Sequence, residues 1–270
     1  MAVKAPYALA VTGGKGGVGK SCVALNLGIA LASQGERVLL VDTDWGLGNL
    51  ALLLGQYPAR TIEEVLTGAC KVGDALLEGP EGLVLLPAAS EWHGPAWEET
   101  VCDEEAVLAL GALEVDFDYL IIDTGAGVDD KVVAPAAAAD AALLVTTPDP
   151  TSVADTYALL KVLLRGGCPK ARLLVNMADD AEEADELQAR FAELAERFLG
   201  AEIDNAGYIP LDRYVRQAVK RQMSFLYIDP PCPATRALEG LALSCRRAGQ
   251  DAAGGRGFFE GFAGRRLAAS

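Results

Sequence analysis

Short apolar runs alternate with longer amphipathic stretches from one end of the chain to the other. Seven runs have the length of strands, at 7–12, 37–42, 82–86, 119–123, 142–146, 172–176 and 206–209. Most are continuously apolar instead of alternating, as expected of strands covered on both faces within a parallel sheet. Helical patterns fill the intervals, for example over 20–33, with Gly35 placed to stop the helix. Another covers 152–164, where Ser152 and Asp155 have capping-box spacing. This repetition predicts an α/β fold, a doubly wound and mostly parallel sheet flanked by helices and joined by right-handed crossovers.

The composition narrows the class. With 270 residues, 51% hydrophobic and 23% charged, the chain is far too apolar to be an acidic disordered segment. Its 23 Lys+Arg against 38 Asp+Glu give a net charge of −15, which disfavours a surface that tracks a nucleic-acid backbone, so nucleic acid is not an expected partner. The six cysteines are scattered without a CxxC or CxC pair, so neither a disulfide scaffold nor a metal or iron–sulfur ligand set is suggested. A reducing, cytoplasmic compartment is expected. No apolar run is long enough to span a membrane, and the apolar start leads straight into a glycine loop, so it reads as a first strand and not as a signal peptide.

That loop, GGKGGVGKS at 13–21, carries the strongest chemical signal. Gly14-x4-Gly19-Lys20-Ser21 fits the phosphate-loop pattern, with a strand before it and a helix after it. Glycines let successive backbone N–H groups point at one phosphate, and the start of the helix adds its dipole. Gly14, Gly16, Gly17, Val18, Gly19 and Cys22 would frame the phosphates, Lys20 would neutralise them, and the Ser21 hydroxyl would bind Mg²⁺. Asp42, Asp44 and Asp123 end strand runs, at the carboxyl edge where ligands bind in open α/β sheets.

These residues resemble the MinD/ParA family of P-loop ATPases. Lys15 matches the extra lysine of that family's deviant phosphate loop. VDTDWGLGNL, LIIDTGAG, TTPDPTSVADTYALLK and LLVNM look like blocks of its FlhG (FleN, YlxH) branch, which regulates flagellar number. The resemblance covers about residues 7–232. It implies an ATP- and Mg²⁺-dependent homodimer with two nucleotides between the subunits and slow, partner-stimulated hydrolysis. Lys15 would reach the partner's phosphates, Asp44 would position the attacking water, and Ser21, Asp42 and Asp123 would serve the metal. The stretch 124–127 would sense the γ-phosphate. Asn176, Pro210 and Asp212 would hold the adenine.

The chain also departs from that branch. Its first strand run begins near Tyr7, so the Asp-Gln-Ala extension through which relatives stimulate the GTPase FlhF is not expected, although an FlhF-like GTPase or another flagellar regulator is still an implied partner. Trp45 stands where Leu or Ile is usual, and Ala51 where Asp is usual. Residues 1–250 read as the ATPase domain and 251–270 as an appendage. Six arginines against three acids make residues 236–270 net positive. Phe258, Phe259 and Phe262 would share one helical arc, which leaves two expectations open. One is peripheral contact of 256–267 with the inner face of the cell membrane; the other is a disordered end whose aromatics dock on the protein itself. Arg213, Arg216, Lys220 and Arg221 read as a solvated basic face. His93 reads as an incidental surface group in a loop with Trp92 and Trp97. A DNA-binding partition ATPase and an ATP-dependent ligase on the same scaffold remain the alternatives.

Overall fold

The computed structural model describes residues 5–95, 102–168, 170–251 and 257–269, with the backbone alone at 266–269. Trp97 and Arg256 therefore lie outside the described residues, as does the Arg266 side chain. The strands are β1 (Tyr7–Gly13), β2 (Val38–Thr43), β3 (Leu77–Glu78), β4 (Val84–Leu86), β5 (Tyr119–Ala126), β6 (Ala141–Thr146), β7 (Ala171–Ala178) and β8 (Asp204–Pro210). They form one sheet in the order β3-β4-β2-β5-β1-β6-β7-β8. All neighbours run parallel except β3, which is antiparallel to β4. The expected doubly wound α/β architecture is therefore present. β3 had no counterpart in the sequence reading, because two residues are too few to carry a periodicity.

Around the sheet lie α1 (Lys20–Ser33), α2 (Leu50–Leu53), α3 (Ile62–Leu66), α4 (Val72–Ala75), α5 (Glu104–Glu114), α6 (Asp130–Ala138), α7 (Pro150–Arg165), α8 (Ala181–Leu199), α9 (Arg213–Lys220), α10 (Pro233–Asp251) and α11 (Phe258–Ala269). One apolar cluster joins Leu9, Val11 and Leu40 to Leu27 and Leu31 of α1 and to Leu238 and Leu241 of α10. On the opposite face Ile122 and Leu144 pack with Val132 of α6, Leu160 of α7 and Phe191 of α8. Helix α1 has no polar face, because sheet and α10 cover it. Its one fully buried amide, Asn26, donates to Cys22 O at 2.7 Å and accepts from Ser224 Oγ at 2.6 Å. The helix stops as expected: Gly35 has φ +86°, and its N–H reaches Ala32 O at 2.9 Å.

The start of α7 differs from expectation. Asp149 is its cap, accepting from Thr151 N at 2.8 Å, and Pro150 takes the first helical position, where its missing N–H costs nothing. Ser152 is buried instead, its hydroxyl 3.0 Å from Thr146 Oγ1 and accepting from Thr147 N at 3.1 Å. Its capping-box spacing with Asp155 was coincidental.

Residues 258–269, which sequence assigned to an appendage, are helical, and their aromatic rings are interior. Phe258, Phe259 and Phe262 are each 2% exposed, and they join the same apolar cluster as Leu110 of α5 and Ala136 of α6. Phe258 and Phe262 stack with centroids 5.9 Å apart. Glu114, at the end of α5, accepts from Phe259 N at 3.3 Å, and Arg265 donates to Gly166 O at 2.6 Å. The expectation of a lipid-facing phenylalanine arc is corrected, because these rings already have an apolar surface to cover. Docking on the protein's own surface is what occurs, in a helix and not a disordered end. Phe258→Ala should therefore lower unfolding stability by about 3–5 kcal/mol in a denaturant titration. An unchanged midpoint would mean that the ring is not buried in solution.

Candidate phosphate-binding site

The register of β2, β5 and β1 assembles the site. Asp42 and Asp123 are direct partners across the parallel β2–β5 pair, and Val11 of β1 pairs with Asp123 on the other side. Both carboxylates therefore emerge at the same level beside the loop that leaves β1. Thr43 Oγ1 donates to Asp123 O at 2.8 Å, and Thr124 Oγ1 donates to Thr12 Oγ1 at 2.8 Å, which ties the three strand ends together.

The loop between β1 and α1 needs its glycines for two distinct reasons. Gly17 and Gly19 have φ +80° and +92°, where a Cβ is strained. A Cβ on Gly14 would strike the Asp155 backbone of α7. Gly16 and Gly17 face open space, while Val18 is buried, and Asn176 Nδ2 donates to Val18 O at 2.8 Å. Beyond the loop Lys20 is buried, Ser21 is half-buried, and burial pushes the Cys22 thiol up to about 12, so it carries no charge at neutral pH.

Lys20 points into the acidic group. Burial lowers its pKa, while Asp123 and Asp44 pull it back up. Asp42 accepts from the N–H groups of Asp44, Asn49 and Leu50 at 3.0, 3.1 and 3.3 Å, yet burial still raises it to about 7. Asp123 is also held well above its usual range, first by burial and then by Asp42, against the pull of Ser21 and Lys20. Neither Asp123 carboxylate oxygen accepts a hydrogen bond of good geometry, though both are buried. Two desolvated carboxylates beside a serine hydroxyl, one of them orphaned, suit a hard divalent cation. Among the described residues no group of three or more His, Cys, Asp and Glu side chains is placed to hold a metal, so an ion at Ser21, Asp42 and Asp123 would take its further oxygens from phosphate and water. These residues therefore fit Mg²⁺.

Asp44 is half-buried and lies close to Gly125, where a Cβ would stand 2.7 Å from Asp44 Oδ1 and push that carboxylate aside. Burial raises the Asp44 carboxyl, while Lys20 and Lys131 lower it. The sequence reading missed Lys131, which had no motif to flag it. It also missed the partners of Lys15: Nζ lies 2.9 Å from Asp149 Oδ2 and donates to Thr151 Oγ1 as well. These contacts hold the Asp149 carboxyl well below the usual carboxylate range. Lys15 thus stands on the rim, at the mouth of a groove of about 410 Å³ lined by Gly17, Asp149, Met177 and Leu211.

The adenine candidates gather at one end of the β7–β8 pair, where Asn176 faces Ile209 and Ala178 faces Pro210. Their polar atoms have local work. The Asn176 amide holds the phosphate loop, and Asp212 caps α9, accepting from Tyr214 N at 2.9 Å. Neither His93 nor Trp92 lines the groove at the loop. His93 is 82% exposed, and Trp92 packs edge-on against Trp45 at 6.1 Å.

The family model described as "ParA: NUBPL iron-transfer P-loop NTPase" matches residues 4–245. The antiactivator FleN of Pseudomonas aeruginosa is 40% identical over 235 residues, covering 87% of this chain and 84% of that protein. The chain belongs to the ParA/MinD family of P-loop NTPases. The flagellum site-determining protein YlxH of Helicobacter pylori is 33% identical, over 77% of this chain and 72% of its own. Among solved structures, the Pyrococcus horikoshii septum site-determining protein MinD complexed with Mg-ADP superposes with a TM-score of 0.73. It is 25% identical and covers 92% of this chain and 99% of that one. The family resemblance read from the loop and the DTGAG and TPDPTS blocks is thereby established. The family description names iron transfer, but the cysteine spacing of this chain offers no bridging pair for such a cargo.

Proposed function

We propose that the chain is an ATP-operated dimerisation switch with slow hydrolysis, acting in cellular positioning, with flagellar number or placement as its setting. The observation that carries this reading is the separation of the two loop lysines. Lys20 is buried against Asp44 and Asp123, where it meets its own chain's phosphates, whereas Lys15 stands on the rim. A cation at the rim contributes fully only when phosphate and a second subunit are both present, which makes dimer affinity depend on the nucleotide. Similarity to an antiactivator FleN and a flagellum site-determining YlxH supports the setting, and similarity to a MinD holding Mg-ADP supports the ligands. A flagellar regulator, such as an FlhF-like GTPase, is the partner this similarity suggests.

In this reading the loop N–H groups and Lys20 bind the phosphates, and Ser21, Asp42 and Asp123 hold Mg²⁺, which would offset phosphate charge when bound. Asp44 orients the attacking water, and Thr124 and Gly125 carry the state of the site into β5. Asn176, Pro210 and Asp212 flank the base. A carboxylate that orients water without a positioned arginine gives a weak intrinsic rate, which a partner would raise. No described helix is long and apolar enough to cross a membrane, and α11 as docked offers lipid no aromatic face.

Asp44→Ala should leave ATP affinity within about threefold and lower turnover by about 100-fold, as loss of a positioned water-orienting group does. Phosphate release together with nucleotide titration measures both. Unchanged turnover would move the water to another residue and remove Asp44 from the reaction.

A further inference from the structure

A further buried carboxylate lies next to the site, and none of the roles above uses it. Glu63 of α3 is 0% exposed, and among the described residues it makes no ion pair. Its neighbour Glu64 performs the ordinary task for this position: it accepts from Thr61 N at 3.0 Å to close the capping box and pairs with Arg60 at 2.7 Å. Glu63 turns inward instead. Its Oε1 accepts from Gly46 N at 3.2 Å and from Ala89 N at 3.2 Å, and its Oε2 accepts from Ala89 N at 3.0 Å.

An uncompensated buried carboxylate is costly, and backbone N–H donors offset part of that cost only where the acceptor is held in place. Here the two donors belong to different loops. Gly46 lies in the turn that follows β2, two residues after Asp44, and Ala89 follows β4. The same two loops meet again where Gly48 N donates to Ala89 O at 2.8 Å, and Trp45 packs edge-on to Trp92. The start of α3 is itself docked on the β4 side, with Ile62 N donating to Pro87 O at 2.8 Å. The Asp44 turn is therefore held from two directions. Asp42 accepts from Asp44 N at its beginning, and Glu63 accepts from Gly46 N in its middle. Gly46 has φ +74°, and Leu47 N closes the turn on Asp44 O at 2.9 Å.

We propose that Glu63 is a positioning residue: its carboxylate clamps the Gly46 and Ala89 amides together and so aims Asp44 at the phosphates. This rests on the reading above, in which Asp44 orients the attacking water. Glu63 touches no reacting atom. An apolar residue would pack α3 equally well, but only an acceptor reaching both amides fixes the direction of the turn. Small misplacements of a water-orienting group are expensive in rate and nearly silent in ground-state binding.

Glu63→Gln in the full chain tests this, because one of its two oxygens becomes a donor facing a donor. Hydrogen exchange of the segments 44–50 and 88–92 should quicken about tenfold. At a temperature well below the variant's own Tm, kcat for ATP should fall about ten- to 100-fold with KM within about twofold. Unchanged exchange in those segments overturns the clamp. Faster exchange with unchanged kcat overturns the positioning role and leaves Glu63 structural. If the wild-type chain itself hydrolyses no ATP, the failure belongs to the function proposed above, and exchange still decides whether the clamp exists. Should Glu63→Gln not fold, Glu63→Met, of similar length and without charge, is read by the same two measurements and the same outcomes.

Discussion

Lys20→Ala abolishes tight ATP binding. In the free protein Lys20 is the buried cation nearest Asp123 and Asp44, and burial already works against its charge. Incoming phosphates would bring further negative charge into a space that holds three carboxylates, Asp42, Asp44 and Asp123. Without the ammonium Asp123 loses the cation that lowers it, and Asp44 keeps the pull of the half-buried Lys131. Truncating one partner of a buried charge pair costs about 2–5 kcal/mol, so affinity should drop by about 30-fold at least and by up to several thousandfold. Calorimetric titration of the variant with ATP and Mg²⁺ measures this directly. An unchanged Kd would mean that the nucleotide binds elsewhere, and every role assigned to the loop would go with it. The fold should survive, since Lys20 begins α1 and the interior of that helix is held by Leu25, Leu27 and Leu31.

Lys15→Ala should divide binding from assembly. In the single chain Lys15 contacts Asp149 and Thr151 across an exposed rim, with side chains 37% and 48% exposed for the ion pair. Such pairs contribute little to stability. Removing Lys15 should therefore leave the Tm and the ATP affinity close to wild type. It should also weaken the ATP-bound dimer at least tenfold, because the cation that bridges to the partner's phosphates is gone. Sedimentation of the variant over a concentration series in ATP separates the two effects. A dimer of wild-type affinity would leave Lys15 with only its surface pair, and the rim would not be an assembly surface.

The difference between these two lysines shows how far sequence alone reached. Gly14 to Ser21 is a contiguous motif whose spacing encodes its geometry, so the loop, its strand and its helix were legible before any coordinates. Asp42, Asp44 and Asp123 were legible as strand-end acids, but only the parallel register makes Asp42 and Asp123 neighbours. The metal role of Asp42 rests on resemblance, to which the pairing of β2 with β5 adds that Asp42 stands beside Asp123. Asn176 and Asp212 came from resemblance too, and no periodicity could have revealed that their side chains hold Val18 and cap α9. Glu63 was invisible for a plainer reason. A five-residue helix is too short to carry a periodicity, so nothing local says that of two adjacent glutamates one pairs with Arg60 and the other faces Gly46. The tail was ambiguous in a different way. Three phenylalanines on one arc fit a lipid surface and a groove between α5 and α6 equally well, and only the docked helix distinguishes them.

The most direct test is the mass of Asp44→Ala by light scattering, once in ADP and once in ATP with Mg²⁺. Because this variant should bind ATP without spending it, a nucleotide-gated sandwich requires a monomer in ADP and a doubled mass in ATP. The same mass in both nucleotides, with ATP binding verified, would leave a P-loop fold without the switch.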